Sequence, residues 1–347
     1  MAARPTSSLT CGEIYGNGVD YPYVICLGTT NQVVVAYPKI NNTPLGTWSV
    51  GTVSASVSAR KDSGLAFTAG RQDVFYVDDS NLINVLAPGG IMTGGVLSTG
   101  WVNTPMPDCK VRAGSALCSL WMSFSSDETT AQSQGYFIGT DNSINQLVYN
   151  ITPETQGWTH SVLPGKAAAN ENALAALVVG AVAHVLYIGQ NNIVNHLVKP
   201  PLSGWYSATP LKGEAAKSGS NLACVTLSDL SYQVNYIGAD SGSILQYTIN
   251  PNSTESVAWL LSQPRANTPL GCTQSGGQVY YIGTSGDIRE CSSSDDLVCL
   301  PGFPAKAESP LCAIGLNNGR ILVYYIDTTD RVNQLQFYTG SWNHTYL

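Results

Sequence analysis

Apolar residues along this chain come in short runs of four or five. Each run is closed by glycine or aspartate, then followed by a polar turn and a second apolar run. The sharpest copy is Val279-Tyr280-Tyr281-Ile282-Gly283, then Thr284 to Asp287, then Ile288-Arg289-Glu290-Cys291. Equivalent runs are Val24 to Gly28, Val74 to Asp78, Gly135 to Gly139, Val185 to Gly189, Val234 to Gly238 and Val323 to Asp327, followed by Val33, Ile83, Ile144, Ile193, Ile244 and Val332. The closing positions 28, 78, 139, 189, 238, 283 and 327 are spaced by 50, 61, 50, 49, 45 and 44 residues. The long interval contains an extra polar segment, Ser125 to Thr130, which reads as an inserted loop.

Two further elements repeat in phase. Upstream of each hairpin a leucine (Leu9, Leu65, Leu117, Leu174, Leu222, Leu270, Leu311) opens a strand of small residues, and downstream an aromatic (Trp48, Trp101, Trp158, Trp205, Trp259, Phe303, Trp342) leads another. Each unit therefore predicts four antiparallel strands, and no helical spacing competes with them. A lone sheet of this size cannot bury both faces, whereas sheets stacked radially bury each face on a neighbour and leave only short edges. The expected fold is all-β, a seven-bladed β-propeller of four-stranded antiparallel blades, with six blades plus an irregular unit as the alternative. Residues 1–347 are expected to form one propeller domain, with blades at about 1–55, 56–108, 109–166, 167–214, 215–264, 265–305 and 306–347. Every blade is complete in sequence, so closure is expected to rest on packing of the seventh blade against the first, with a swapped closing strand as the alternative.

Composition narrows the function. Charged residues are 11 % of the chain and the net charge is −7, which gives no electrostatic footprint for nucleic acid or for an anionic membrane. No apolar stretch approaches a membrane span, and the N-terminus lacks a signal-peptide pattern. The expectation is a soluble protein, cytoplasmic or released without a classical signal peptide. The nine cysteines sit mostly in apolar strands and read as reduced thiols, with Cys291 and Cys299 near enough in sequence for a local pair.

No catalytic constellation, cofactor motif or metal-ligand set appears, so neither an enzyme nor a bound cofactor or metal is expected. Of the four histidines, His184 and His196 share one hairpin and would face each other across its strands, without a third ligand for a metal. Polar residues do recur on the third strand, at Asn145, Gln146, Asn195, His196, Gln246, Glu290, Asn333 and Gln334. Amides match sugar hydroxyls, which donate and accept at once, and aromatic faces suit the apolar face of a sugar ring. Tyr149, Trp158, Trp205 and Trp342 are the stacking candidates. Packing between blades is the competing role for both sets.

The run Val279 to Glu290 resembles the blade signature of the fungal fucose-binding propeller lectins of the Aleuria type, and Gly340-Ser341-Trp342-Asn343 resembles their blade ending. The resemblance implies a sugar pocket between neighbouring blades, built from an arginine just before the Val-Tyr strand, a glutamate on the next strand and an aromatic of the following blade. Glu290 matches the glutamate and Phe337 the aromatic, but Gln278 stands where the arginine would be. Its counterparts Tyr23, Asp73, Gln134, His184, Gln233 and Leu322 are not arginine either. The family usually has six blades, and related propeller lectins recognise other sugars, including N-acetylglucosamine.

The expected function is a multivalent, carbohydrate-binding lectin with several inter-blade sites for terminal sugars such as N-acetylglucosamine or fucose. Its partners would be glycans or glycoproteins, with no nucleic acid and no membrane insertion, and a homodimer is one assembly open to it. A protein-interaction scaffold is the alternative, and a glycan-active enzyme a more distant one.

Overall fold

The computed structural model describes residues 8–16, 19–38, 48–53, 58–88, 100–122, 131–150, 157–201, 203–227, 230–250, 255–260, 262, 264–273, 277–292 and 298–347. The inserted loop expected at Ser125 to Thr130 lies outside them.

The described strands make seven four-stranded antiparallel sheets, each in plain sequence order. Leu9–Gly16, Val19–Leu27, Val33–Pro38 and Trp48–Thr52 form the first, and Leu311–Gly315, Ile321–Ile326, Val332–Tyr338 and Ser341–Tyr346 form the last. The chain is a seven-bladed β-propeller. The innermost strand of each blade neighbours those of the blades before and after it, and the ring closes where Leu9–Gly16 meets Leu311–Gly315. Among the described residues no strand is exchanged across this seam.

The apolar core is divided among the junctions. One cluster joins blades 1 and 2 (Ile25, Val35, Leu65, Tyr76), another joins blades 7 and 1 (Val24, Cys26, Leu322, Tyr324), and each of the other five junctions has its own. This explains the runs read from the sequence. The second strand of a blade is buried on both faces, so Val279 to Ile282 and Ile321 to Ile326 are apolar throughout instead of alternating.

Asparagine and glycine turn the central hairpins. Asn31, Asn81, Asn142 and Asp330 hold φ of 63, 63, 67 and 64°, and Gly242 and Gly286 hold 63 and 85°, as tight hairpin turns require. Two aromatic assignments differ from expectation. The last strand of blade 6 is Val298–Cys299, which leaves Phe303 beyond it, 49 % exposed and packed on His344 and Tyr346 of blade 7. Trp259 pairs with Leu245 at the far end of its strand, instead of leading it, and is 66 % exposed.

Candidate functional site

Alternation along the second and third strands decides which side chains meet the next blade. In blade 6, Gln278, Tyr280 and Glu290 face blade 7, while Tyr281 and Cys291 pack back against blade 5. Blade 7 returns Phe337 and Trp342 to this face, with the Trp342 ring 6.0 Å from Tyr280 and 5.4 Å from Phe337. The same edge-on contact recurs as Phe75–Trp158, Tyr136–Trp205 and Tyr324–Trp48, at 5.6, 6.0 and 6.3 Å. The repeated tryptophan is thus a packing device between neighbouring blades.

Three of the amides expected to touch ligand lie on the other face. Asn145, Asn195 and Asn333 each donate from Nδ2 to the carbonyl two residues earlier, at Ser143, Ile193 and Arg331, over 2.9 to 3.0 Å. Asn145 and Asn333 also hold His160 and His344 through Oδ1, at 2.9 and 2.6 Å. These side chains brace their own hairpins, and Asn145 also lines a recess of about 370 Å³ with Asp108 of blade 2 and His160 of blade 3. The bracing also accounts for the glycines that close the apolar runs: a Cβ at Gly139 or Gly189 would meet the amide of Asn145 or Asn195 at 2.7 or 2.3 Å.

The junctions differ in what fills the clamp position. Between blades 1 and 2, Tyr23 packs on Tyr37 and Phe67, and the cleft is apolar. Between blades 2 and 3 an arginine does enter, from a position that the resemblance did not indicate. Arg71 lies 3.4 Å over the Tyr149 ring and 5.9 Å from Trp158. It is also ion-paired to Asp73 at 3.0 Å. Burial pushes the Asp73 carboxyl above its ordinary value, against the pull of Arg71 and Ser133.

Between blades 3 and 4 the amides satisfy one another. Gln146 donates to Gln134 and to the Tyr136 hydroxyl at 2.9 and 3.3 Å, and Trp205 Nε1 donates to Gln146 Oε1 at 3.0 Å. At the next junction His184 Nδ1 and His196 Nε2 are 2.8 Å apart, with stacked rings, and Tyr232 of blade 5 covers them. Desolvation lowers the two imidazoles to about 3 and about 4.

The remaining junctions keep unpaired polar groups. Between blades 5 and 6, Gln246 donates to the Gly277 carbonyl at 3.2 Å, but Gln233 Oε1 and both polar atoms of the fully buried Asn235 lack partners. At blade 6, burial raises the Glu290 carboxyl, and Gln278 accepts from Thr273 at 3.1 Å. At the seam, Trp48 Nε1, Tyr324 OH and Gln334 Oε1 are all buried and unpaired. Their counterparts Trp205, Tyr136 and Gln146 are bonded together. Sequence reasoning did not single out Trp48, Tyr324, Asn235 or Arg71, which the structure places at these junctions. For Trp48 the signal was its equivalence to Trp158, Trp205 and Trp342 in other blades.

A recess of about 740 Å³ lies at one mouth of the central channel. It is lined by amides and carboxylates, including Asn170, Glu171, Asn221 and Glu308. Among the described residues no group of three or more His, Cys, Asp or Glu side chains is arranged to hold a metal ion. No helix is long and apolar enough to cross a membrane.

Solved structures share this architecture along nearly the whole chain. The BP39L lectin of Burkholderia pseudomallei superposes with a TM-score of 0.75 at 15 % identity, over 98 % of each chain. The two chains share the β-propeller fold. The Aleuria aurantia lectin in complex with alpha-methyl-L-fucoside gives a TM-score of 0.64 at 15 % identity, over 100 % of this chain and 96 % of that one. Another structure of that lectin, described as a six-bladed β-propeller with a novel fucose recognition mode, gives 0.62 at 15 % identity, over 99 % and 96 %. No family model and no curated protein matches the chain.

Proposed function

We propose that this chain is a carbohydrate-binding lectin that takes terminal sugars between blades, with the junction of blades 7 and 1 as its best-equipped site. One observation carries the reading. The seam holds a buried indole N–H, a buried amide oxygen and a buried phenol, with no partner for any of them. Each such orphan costs about 1–3 kcal/mol, and a donor, an acceptor and a hydroxyl facing one cleft are what a sugar hydroxyl or acetamido group would satisfy together.

The neutral set favours a neutral sugar, with N-acetylglucosamine ahead of fucose. Its acetamido N–H would donate to Gln334 Oε1 and its carbonyl would accept from Trp48 Nε1. Trp48 is only half-buried, so a sugar would enter by displacing its ring from the mouth. The similarity in fold to lectins crystallised with fucosides supports the class, and the loss of the arginine-glutamate pair at most junctions argues against fucose.

A glycan array tests the class and names the ligand. The expected result is selective binding of terminal N-acetylglucosamine. Trp48→Phe, which keeps a ring but removes the donor, should weaken that binding by roughly tenfold. Absence of binding to every terminal sugar would overturn the proposal.

A further inference from the structure

We infer that Cys11 and Cys312 are a modification site, at which a small-molecule disulfide converts the two thiols into a disulfide that closes the propeller ring covalently. Six of the seven junctions join blades that the chain itself connects. The seam joins the first blade to the last, and among the described residues it is held by packing and by contacts such as the 3.2 Å hydrogen bond from Asn317 to Glu13, without strand exchange.

The inner strands place thiols at this point. Cys11 and Cys312 lie on the neighbouring inner strands of blades 1 and 7 and pack against the same apolar cluster. No disulfide joins any of the nine cysteines. Both thiols also line an axial cavity of about 250 Å³, shared with Cys118, Cys224 and Cys272. A reagent in the channel therefore has a route to them.

The exchange balances as two displacements. The Cys11 thiolate attacks one sulfur of the small disulfide, whose S–S bond breaks and expels a thiolate, leaving a mixed disulfide on Cys11. Cys312 then gives its proton to solvent, and its sulfur attacks that of Cys11, expelling the second small thiol. The protein loses two electrons and the small disulfide gains them. Burial holds the Cys312 thiol well above its ordinary range, which makes Cys312 the poorer first nucleophile.

The test is to incubate the full chain with glutathione disulfide at mildly alkaline pH, block free thiols, and map cross-linked peptides without reduction while recording thermal melts. The expected result is a Cys11–Cys312 cross-link and a Tm higher by roughly 5–10 °C, because the bond closes a loop of nearly the whole chain. Dithiothreitol should reverse both changes. Cys11→Ser and Cys312→Ser should lose them, and Cys118→Ser should keep them. Serine at an inner strand can itself loosen the ring, so the map of the unaltered protein decides. A map without the Cys11–Cys312 peptide, or with Cys26 paired to Cys312 or Cys224 to Cys272 instead, would overturn the inference. Sugar binding takes no part in this readout.

Discussion

The histidine pair shows how far one residue's neighbours determine its chemistry. His184 and His196 were legible as partners, because alternation puts them on one face of one hairpin, where they sit diagonally across its strands. Their third neighbour, Tyr232, was not, since it comes from the next blade and its approach depends on how the sheets stack. Together the three seal the junction, and both imidazoles are neutral there. An unfolded chain binds protons at these groups near pH 6.5, whereas the folded chain resists until about 4 and about 3. Below pH 6.5 the unfolded state therefore holds more protons, so stability is level above pH 7 and falls as the pH drops toward 4. The expected loss is on the order of several kcal/mol. A series of thermal melts between pH 7.5 and 4 checks this, and replacing both histidines by leucine should flatten the slope over that interval.

At the scale of the strand and turn, the apolar runs and the asparagine-rich hairpins could be read directly, because burial on both faces and positive φ each demand particular residues. A second recurring device escaped that reading. A hydroxyl stands two residues before the leucine that opens the inner strand, as Ser63, Ser115, Ser220, Thr268 and Ser309. Each accepts a hydrogen bond from the last residue of the second strand, at Val77, Ile138, Ile237, Ile282 and Ile326, over 2.7 to 3.0 Å. The same hydroxyl donates to the next carbonyl, as Ser115 does to Ala116 at 2.8 Å. A preceding cation often pins the hairpin turn, as when Arg112 donates to Asn142 at 2.7 Å. The signal was present in sequence, but serine before a strand is too common to stand out without its partner. Ser115→Ala should leave the Ile138 N–H buried and unpaired and cost about 1–3 kcal/mol in denaturant unfolding. Ser115→Thr should cost less, since Thr268 serves the same purpose in blade 6.

For the whole molecule, seven equivalent junctions do not make seven equivalent sites. The repeat could be counted from sequence, but the contents of each cleft could not, because they depend on which alternate residues face forward and on what the following blade returns. One junction is apolar, one holds a stacked arginine, one is closed by its own amides and one by imidazoles. The orphan groups concentrate at blades 5–6 and at the seam. The seam is special in a second way, since a ligand bound there touches both ends of the chain and exists only while the ring is closed. Such a ligand should stabilise the ring as a unit, by RT ln(1 + [L]/Kd), or about 2.7 kcal/mol at a hundredfold excess over Kd. We therefore expect a saturating sugar to raise the Tm by several degrees. Gln334→Leu fills the same volume without an acceptor and should abolish that rise, leaving the unliganded melt near that of the unaltered protein because Gln334 Oε1 has no partner to lose. A sugar-induced rise that survives Gln334→Leu would move the site to another junction, with blades 5 and 6, where Asn235 is the orphan, the first to examine.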